Sequence, residues 1–387
     1  MDVFDKQYRT YRLILSAVGL WPYDKSMYQT VRRIIVFTIL FSFPTFQILS
    51  IIKSKVTLER YIVLLASISP WLLFCVRYVG FIDCISLMKY FFEMIRTEEK
   101  RLKDSTEVQI LMKYIDDSTR IIFIFLGICC TMVILVSAFC FIPMMLDVIR
   151  PSNESRVSAL SYVTEISSEQ PGYIVMLNME WIGILIIGSL SIISTESALI
   201  IIIYYICALL RITRYRIRNA IINASKDRSN FNYRDFHSAV NLHVRAMKYI
   251  DFATNGMTVW YFIAVAFVIL SFALSLQRLF QSIMILGSPI DTLISVIYFI
   301  VHLTFMFANN YCGEMLLNHS LDIFIESYNS TWYLIPLKAK KLLLFIMTRS
   351  SVESVANLFG LFEPCNRGFA TMMNSSFSYF TLMCAFQ

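Results

Sequence analysis

Residues Ile121–Leu146 read IIFIFLGICCTMVILVSAFCFIPMML, 26 consecutive positions without one charged side chain. As an α-helix this run is about 39 Å long, more than the ~30 Å hydrocarbon core of a bilayer. In lipid a backbone must satisfy its own N–H and C=O groups, so such a run reads as a spanning helix. Six further stretches qualify: Ile34–Ile52, Tyr61–Ile82, Tyr173–Leu210, Thr254–Leu279, Ile290–Tyr311 and Phe369–Phe386. The expected fold is an all-α membrane protein with seven transmembrane helices. The fourth stretch has 38 residues. At roughly 57 Å it is expected to project well beyond the bilayer.

Composition points the same way. The chain is 57% hydrophobic and only 16% charged, with a mean hydropathy of +0.62, against about 25% charged in soluble domains. Residues 1–30 carry Asp2, Asp5, Lys6, Arg9, Arg12, Asp24 and Lys25 and no apolar core. No signal peptide is read there, and the first span is expected to serve as its own insertion signal. The net charge of +7 is read as topology rather than as affinity for nucleic acid. With the N-terminus inside, the inner segments 1–33, 77–120, 211–253 and 312–368 hold 28 of the 34 Lys and Arg residues. The outer loops hold the remaining 6. Basic residues stay cytoplasmic, so the N-terminus is expected in the cytoplasm.

The inner segments are long but poor in Gly and Pro. Met88, Phe91, Phe92 and Ile95 sit at helical spacing, as do Phe236, Val240, Val244, Met247 and Ile250. Lys341–Met347 is apolar but too short to span. Together with the overlong fourth helix these predict a cytoplasmic helical anchor layer, where subunits would meet. The chain divides into a cytoplasmic N-terminus (1–33), a six-span bundle (34–311), a cytoplasmic anchor segment (312–368) and a seventh helix (369–387). No cysteine falls in an outer loop, so no extracellular disulfide framework is expected. Of five Asn-x-Ser/Thr triplets only Asn153 faces outside, as a candidate glycosylation site.

No enzyme constellation is present. His237 and His243 are six apart, which is not the i,i+4 spacing of a helical metal pair. There is no Gly-rich phosphate loop, no paired-carboxylate motif and no HExxH, so neither a cofactor nor a metal is expected. His302 reads as a lone polar residue facing the bundle. Asp83, Asp147 and Glu196 are read at or near membrane boundaries, and Arg77 as snorkelling to the inner surface. Glu180 stands about two turns into the fourth span beside Met176, Met179 and Trp181. A carboxyl there is either packed and hydrogen-bonded between helices or a polar anchor in a ligand pocket.

The C-terminal third carries a pattern: NNYCGEMLLNHSLDIFIESYNSTWYLIPLKAKKLLLFIMTRS, and at the end GFATMMNSSFSYFTLMCAFQ. Cys312, Gly313, Glu314 and Leu317 resemble the insect odorant receptors, as do Ser320, Tyr328, Trp332, Tyr333, Pro336 and Lys341. So do Leu342–Leu344, Met347, Arg349 and Ser350. The run Ser376–Leu382 (SFSYFTL) is the most specific piece and favours this branch over the gustatory receptors, which share fold and channel logic. The short segment between the fourth and fifth spans resembles an odorant-tuned subunit rather than the co-receptor.

The resemblance implies a ligand-gated, non-selective cation channel in the cell membrane of the olfactory neuron dendrite. It implies assembly as a heterotetramer with a co-receptor subunit, a small volatile odorant as ligand, and a pore lined by the last helix. Ser375, Ser378, Leu382 and Phe386 fall three or four apart and share a helix face. That stripe is either helix packing or a pore face, and by resemblance Leu382 and Phe386 match the gate. A ring of apolar side chains closes a pore by dewetting. The family's odorant pocket lies in the outer half of the bundle among spans two, three, four and six. The candidates by position are Trp71, Phe74, Met132, Val136, Met176, Glu180, Ser295, Tyr298 and Phe299, each of which would serve equally as core. A G-protein-coupled receptor would need an outside N-terminus, opposite to the charge split, and its acidic-Arg-Tyr and Asn-Pro-x-x-Tyr motifs are missing.

Overall fold

The computed structural model describes residues 9–24, 27–53, 58–102, 104–149, 171–226, 233–286, 289–353, 359 and 361–385. Among them there are ten α-helices and no β-strand. In chain order they are α1 (Arg9–Ala17), α2 (Met27–Lys53), α3 (Leu58–Asp83), α4 (Ile85–Arg101) and α5 (Ser105–Ile149). Then follow α6 (Pro171–Lys226), α7 (Tyr233–Gln281), α8 (Pro289–Asn329), α9 (Leu337–Ser350) and α10 (Asn366–Ala385). The seven apolar stretches fall on α2, α3, α5, α6, α7, α8 and α10.

Four of these, within α5, α6, α7 and α8, are long and apolar enough to cross a membrane among the described residues. A fifth candidate is α3 taken together with α4, which is bent away from it by 63°. α2 opens with Gln29, Arg32 and Arg33, and α10 carries Asn366, Arg367, Asn374 and a series of Ser and Thr side chains. α10 therefore falls below the apolarity of an ordinary span, whereas the Ile34–Ile52 run of α2 carries no charged side chain.

α6 is the centre of the bundle. It runs unbroken for 56 residues, roughly 84 Å, so the projection expected from its sequence is real and longer than expected. It begins with Pro171 at the first helical position, where a missing N–H costs nothing. From Ile200 to Ile212 nearly every position is buried, as befits a helix that is apolar on all sides. α5, α7, α8 and α3 pack around it.

The inner layer forms because the spans do not stop at the membrane. α5, α7 and α8 each continue as one helix through an inner segment and a span. On α4, Met88, Phe91, Phe92 and Ile95 are buried as the spacing predicts, and Leu87 is buried with them. On α7, Phe236, Met247 and Ile250 are buried, but Val244 is exposed and Leu242, His243 and Ala246 take its place. The buried stripe is rotated because α6 and α9 both cover this helix. Lys341–Met347 lies inside α9, which buries Leu343 and Ile346 and exposes Leu344 and Phe345.

Charges tie this layer together. Glu98, 2% exposed at its side chain, meets Arg245 at 2.9 Å and Arg101 at 2.8 Å, and accepts from Tyr249 Oη at 3.2 Å. Glu107 takes a bidentate pair from Arg216, and Arg214 binds Asp322 and Glu326. His319 donates from Nδ1 to the Met315 carbonyl at 2.8 Å, so its Nε2 accepts from the Tyr114 hydroxyl. Burial holds this imidazole below its usual range and pushes Tyr114 up to about 12.

The N-terminal helix joins the same end. α1 closes on Gly19 at φ +73°, with Leu20 N–H donating to Leu15 O and Gly19 N–H to Ser16 O, a left-handed cap open to glycine. Its last carbonyls accept from α2: Arg32 donates to Ser16 O at 2.8 Å and Arg33 to Gly19 O at 2.8 Å. Tyr78 donates to Val18 O, and Trp21 stacks on Phe92. The N-terminal helix and the basic segments thus share one end, the cytoplasmic end by the distribution of Lys and Arg.

Two charges read from sequence as boundary residues are paired inside the bundle. Arg77 does not snorkel. It turns inward from α3, its Nη2 2.8 Å from Glu196 Oε1 on α6, and its guanidinium lies over the Tyr261 ring. Glu196 is likewise buried rather than at a surface. Desolvating either charge alone is costly, so they are paired. Asp83 is partly exposed and accepts from Trp260 Nε1 at 2.7 Å. The side chain of Asp147 lies outside the described residues.

Candidate functional site

The outer half of the bundle gathers three of the nine candidate ligand residues. Trp71 on α3 is buried, with the Phe43 ring 5.1 Å away and Phe74 edge-on at 5.3 Å. Val136 of α5 and Ile184 and Leu185 of α6 complete this cluster, and Ile39, Val133 and Trp181 pack against it. Gly188 on α6 makes the room: a Cβ there would lie 2.3 Å from Phe74 Cδ2. Aromatic packing of this kind gives an apolar wall of fixed shape.

A second cluster holds Phe299 of α8, stacked on Phe272 of α7 at 5.3 Å, beside Leu73, Val268 and Met306. α3 stands between the two, presenting Trp71 and Phe74 to one and Leu73 to the other. Ser295 is buried and Tyr298 half-buried, with the Arg278 guanidinium over the Tyr298 ring. His302 reads correctly as a buried polar residue. It donates from Nδ1 to the Tyr298 carbonyl at 2.9 Å and accepts from Ser271 Oγ at 2.7 Å, and Ser69 donates to Ser271. This chain fastens α3, α7 and α8 just below Tyr298.

Met132 is half-buried, one turn from Val136. Glu180 is exposed, and the structure does not bring it to either cluster. Its neighbour Trp181 turns inward instead. Among the described residues, Trp181 Nε1 and Ser295 Oγ are buried without a hydrogen-bond partner. Such groups are expensive to leave unmet and are what a ligand with one polar group would satisfy. An indole and a hydroxyl leave no spacing signature, so sequence singles out the carboxylate beside them. The side chain of Met176, and the whole of Asn153 and Phe386, lie outside the described residues.

α10 has two distinct faces. Gly368, Met372 and Ser376, each four apart, are buried. Ser376 donates to Met372 O at 2.8 Å and to Ile269 O of α7 at 3.3 Å, Asn310 of α8 donates to Met372 Sδ, and Cys384 donates to Gln277 Oε1. The other face points away from the subunit. Ser378 and Leu382, the latter 53% exposed, lie on it, and Ser375 is half-buried at its edge.

The Cys312-Gly313-Glu314 triplet secures the start of α10. Gly313 lies against the backbone of Pro364, where an added Cβ would sit 1.7 Å from the carbonyl oxygen. Glu314 accepts from the Asn366 backbone N–H at 3.0 Å. That N–H is one of the donors a helix leaves unsatisfied in its first turn. Spacing alone does not reveal this role, because glycine and glutamate reach a segment 51 and 52 residues away.

Comparison with known proteins places this architecture. The family model described as 7tm Odorant receptor matches residues 33–377. The structure of the insect olfactory receptor OR5 from Machilis hrabei in complex with eugenol is similar over 99% of this chain and 98% of that one, with a TM-score of 0.78 at 13% identity. The structure of the same receptor described without eugenol covers 98% of both chains, with a TM-score of 0.74 at 14% identity. No curated protein sequence matches. The seven-helix arrangement is that of these receptors, and the chain belongs to the 7tm odorant receptor family.

Proposed function

We propose that this odorant receptor is the ligand-binding subunit of a non-selective cation channel, with α10 lining the pore beside a co-receptor subunit in a heterotetramer. The observation that carries this reading is the two-faced α10. One face is pinned to α7 and α8, and the other offers Ser378 and Leu382 to whatever lies outside the subunit. Hydroxyls beside a large apolar group suit a water-filled path that closes by dewetting. Phe386 would continue that face one turn on.

The ligand is a small volatile molecule held by the outer clusters. Trp71, Phe74, Val136 and Phe299 supply the apolar walls, Met132 and Met176 an adaptable edge, and Trp181 and Ser295 the polar contacts. Tyr298 and Glu180 stand at the margin. A ligand of the size of eugenol, bound in the related receptor, is the scale to expect. The exposed apolar side chains of α9, Leu344 and Phe345, offer the inner layer to neighbouring subunits. The protein would work in the dendrite membrane, with Asn153 glycosylated on the outer side.

The test is Leu382→Ala in cells that co-express the co-receptor. Unstimulated current rises if Leu382 closes the pore. Unchanged basal current and ion preference would remove α10 from the ion path. Tyr298→Ala, which should lower potency for the best agonist, tests the ligand site separately.

A further inference from the structure

A cavity of about 110 Å³ lies among α5, α6, α7, α8 and the start of α10, well away from the outer clusters. Its wall on α8 begins at Ala308, 13 residues beyond Ser295, which is roughly 20 Å along the helix. On α6 it runs from Glu196 to Ile206, beginning 11 residues, roughly 16 Å, beyond Leu185. No lining residue is exposed. The walls are mostly aliphatic, with Phe125, Met257 and Tyr261 as the large side chains.

The polar groups at this cavity are predominantly acceptors, with the Tyr261 and Cys312 side chains in its wall as the groups that can also donate. Glu196 faces it, 3% exposed, with one carboxylate oxygen on Arg77. An ionised carboxylate accepts up to four hydrogen bonds and donates none. The Thr254 and Thr258 hydroxyls both donate to backbone carbonyls one turn back, at Ile250 and Thr254, so they too present lone pairs. Asn309 spends a side-chain N–H on Phe305 O. An acceptor-rich polar end in an apolar chamber selects a neutral molecule that brings its own donor. An anion would be repelled by Glu196, and a ketone or ester would bring no donor to the Thr254 and Thr258 lone pairs.

We propose that this inner cavity is a second small-molecule site, which takes a neutral alcohol or phenol with a short apolar body. Its volume is of the order of that of the ~150 Å³ engineered cavity that holds benzene, and Met257 gives the wall some freedom to adapt. The site also has a mechanical position. Cys312, Gly313 and Pro364 are in its wall, immediately beside the Glu314–Asn366 bond that holds the first turn of α10. An occupant would brace that turn and change how readily α10 moves. This consequence rests on the channel reading above; the binding itself does not.

The test uses the purified full-length chain in lipid nanodiscs with 3-azioctanol, a photoreactive octanol, and peptide mapping by mass spectrometry. Adducts are expected on Leu199, Met257 and Leu316, with loss of those adducts in excess 1-octanol and retention in excess octanoate. Ala308→Phe should abolish them by filling the chamber, and Ala253→Leu serves if the first variant does not fold. Adducts confined to exposed bilayer-facing residues, adducts insensitive to octanol, or adducts that persist in a folded, filled variant would each overturn the site. Labelling needs no current. A chain that labels as expected but shows no octanol effect on current in the co-expressed channel retains the site and loses the link to gating.

Discussion

The carboxylate of Glu314, on α8, accepts a hydrogen bond from the backbone N–H of Asn366 at 3.0 Å, across 52 residues of chain. A side chain from one helix thereby performs the capping that a residue just ahead of α10 would ordinarily supply. This polar contact ties the entry of the last helix to the sixth span, with the Gly313–Pro364 approach beside it.

Glu314→Ala removes that acceptor and leaves the Asn366 N–H unmet. Loss of an N-terminal cap costs about 0.5–2 kcal/mol. The thermal midpoint of the solubilised protein should fall modestly, and hydrogen exchange should quicken in the first turn of α10 while α6 is unaffected. Equal exchange at Asn366–Phe369 in both proteins would mean that the contact holds nothing.

Gly313→Ala acts on the same junction by volume. The added methyl would meet Pro364 O at 1.7 Å, and a backbone carbonyl cannot swing aside as a side-chain tip can. Overpacking of this kind costs about 1–3 kcal/mol or more. The variant should show less folded protein at the membrane than Glu314→Ala. Gly127→Ala is the control, since nothing lies within 4 Å of its added Cβ.

Hydropathy and the distribution of Lys and Arg carry most of this fold, because both act locally along the chain. Ile121–Leu146 and Tyr173–Leu210 announce themselves by length and lack of charge, and Met88, Phe91, Phe92 and Ile95 by spacing. Long-range partners leave no such trace. Arg77 and Glu196 are 119 residues apart, and each alone looks like a boundary charge. Their pairing is visible only once α3 and α6 are side by side. The candidate site divides in the same way. Trp71, Phe74 and Val136 follow from span and depth, whereas Trp181 and Ser295 are distinguished only by lacking a partner among the described residues once buried.

The Arg77–Glu196 pair makes a prediction that separates folding from charge. The two side chains are 10% and 4% exposed. Glu196→Leu strands a buried guanidinium and should destabilise by about 3–5 kcal/mol, as one-sided removal of a buried pair does. Arg77→Met with Glu196→Leu replaces both by apolar groups and should recover much of the loss. A double variant no more stable than Glu196→Leu alone would show that the pair is not the unit that matters.

His243 gives the inner layer a pH dependence. It is buried on α7 with Nε2 3.3 Å from the hydroxyl of Ser350 at the end of α9. Burial, and then the Arg349 guanidinium, hold its pKa down from 6.5 to about 4. Above pH 6.5 the imidazole is neutral in both the folded and the unfolded chain, and its contribution to stability is complete. As the pH falls towards 4 the unfolded chain takes up a proton that the folded one refuses, so stability is lost across that window. The loss is on the order of 3 kcal/mol when complete. The thermal midpoint should therefore drop between pH 7.5 and 5, in part through this residue. His243→Asn keeps a polar side chain opposite Ser350 but cannot titrate, so its midpoint should fall less over the same interval. Parallel curves for the two proteins would place the acid sensitivity elsewhere.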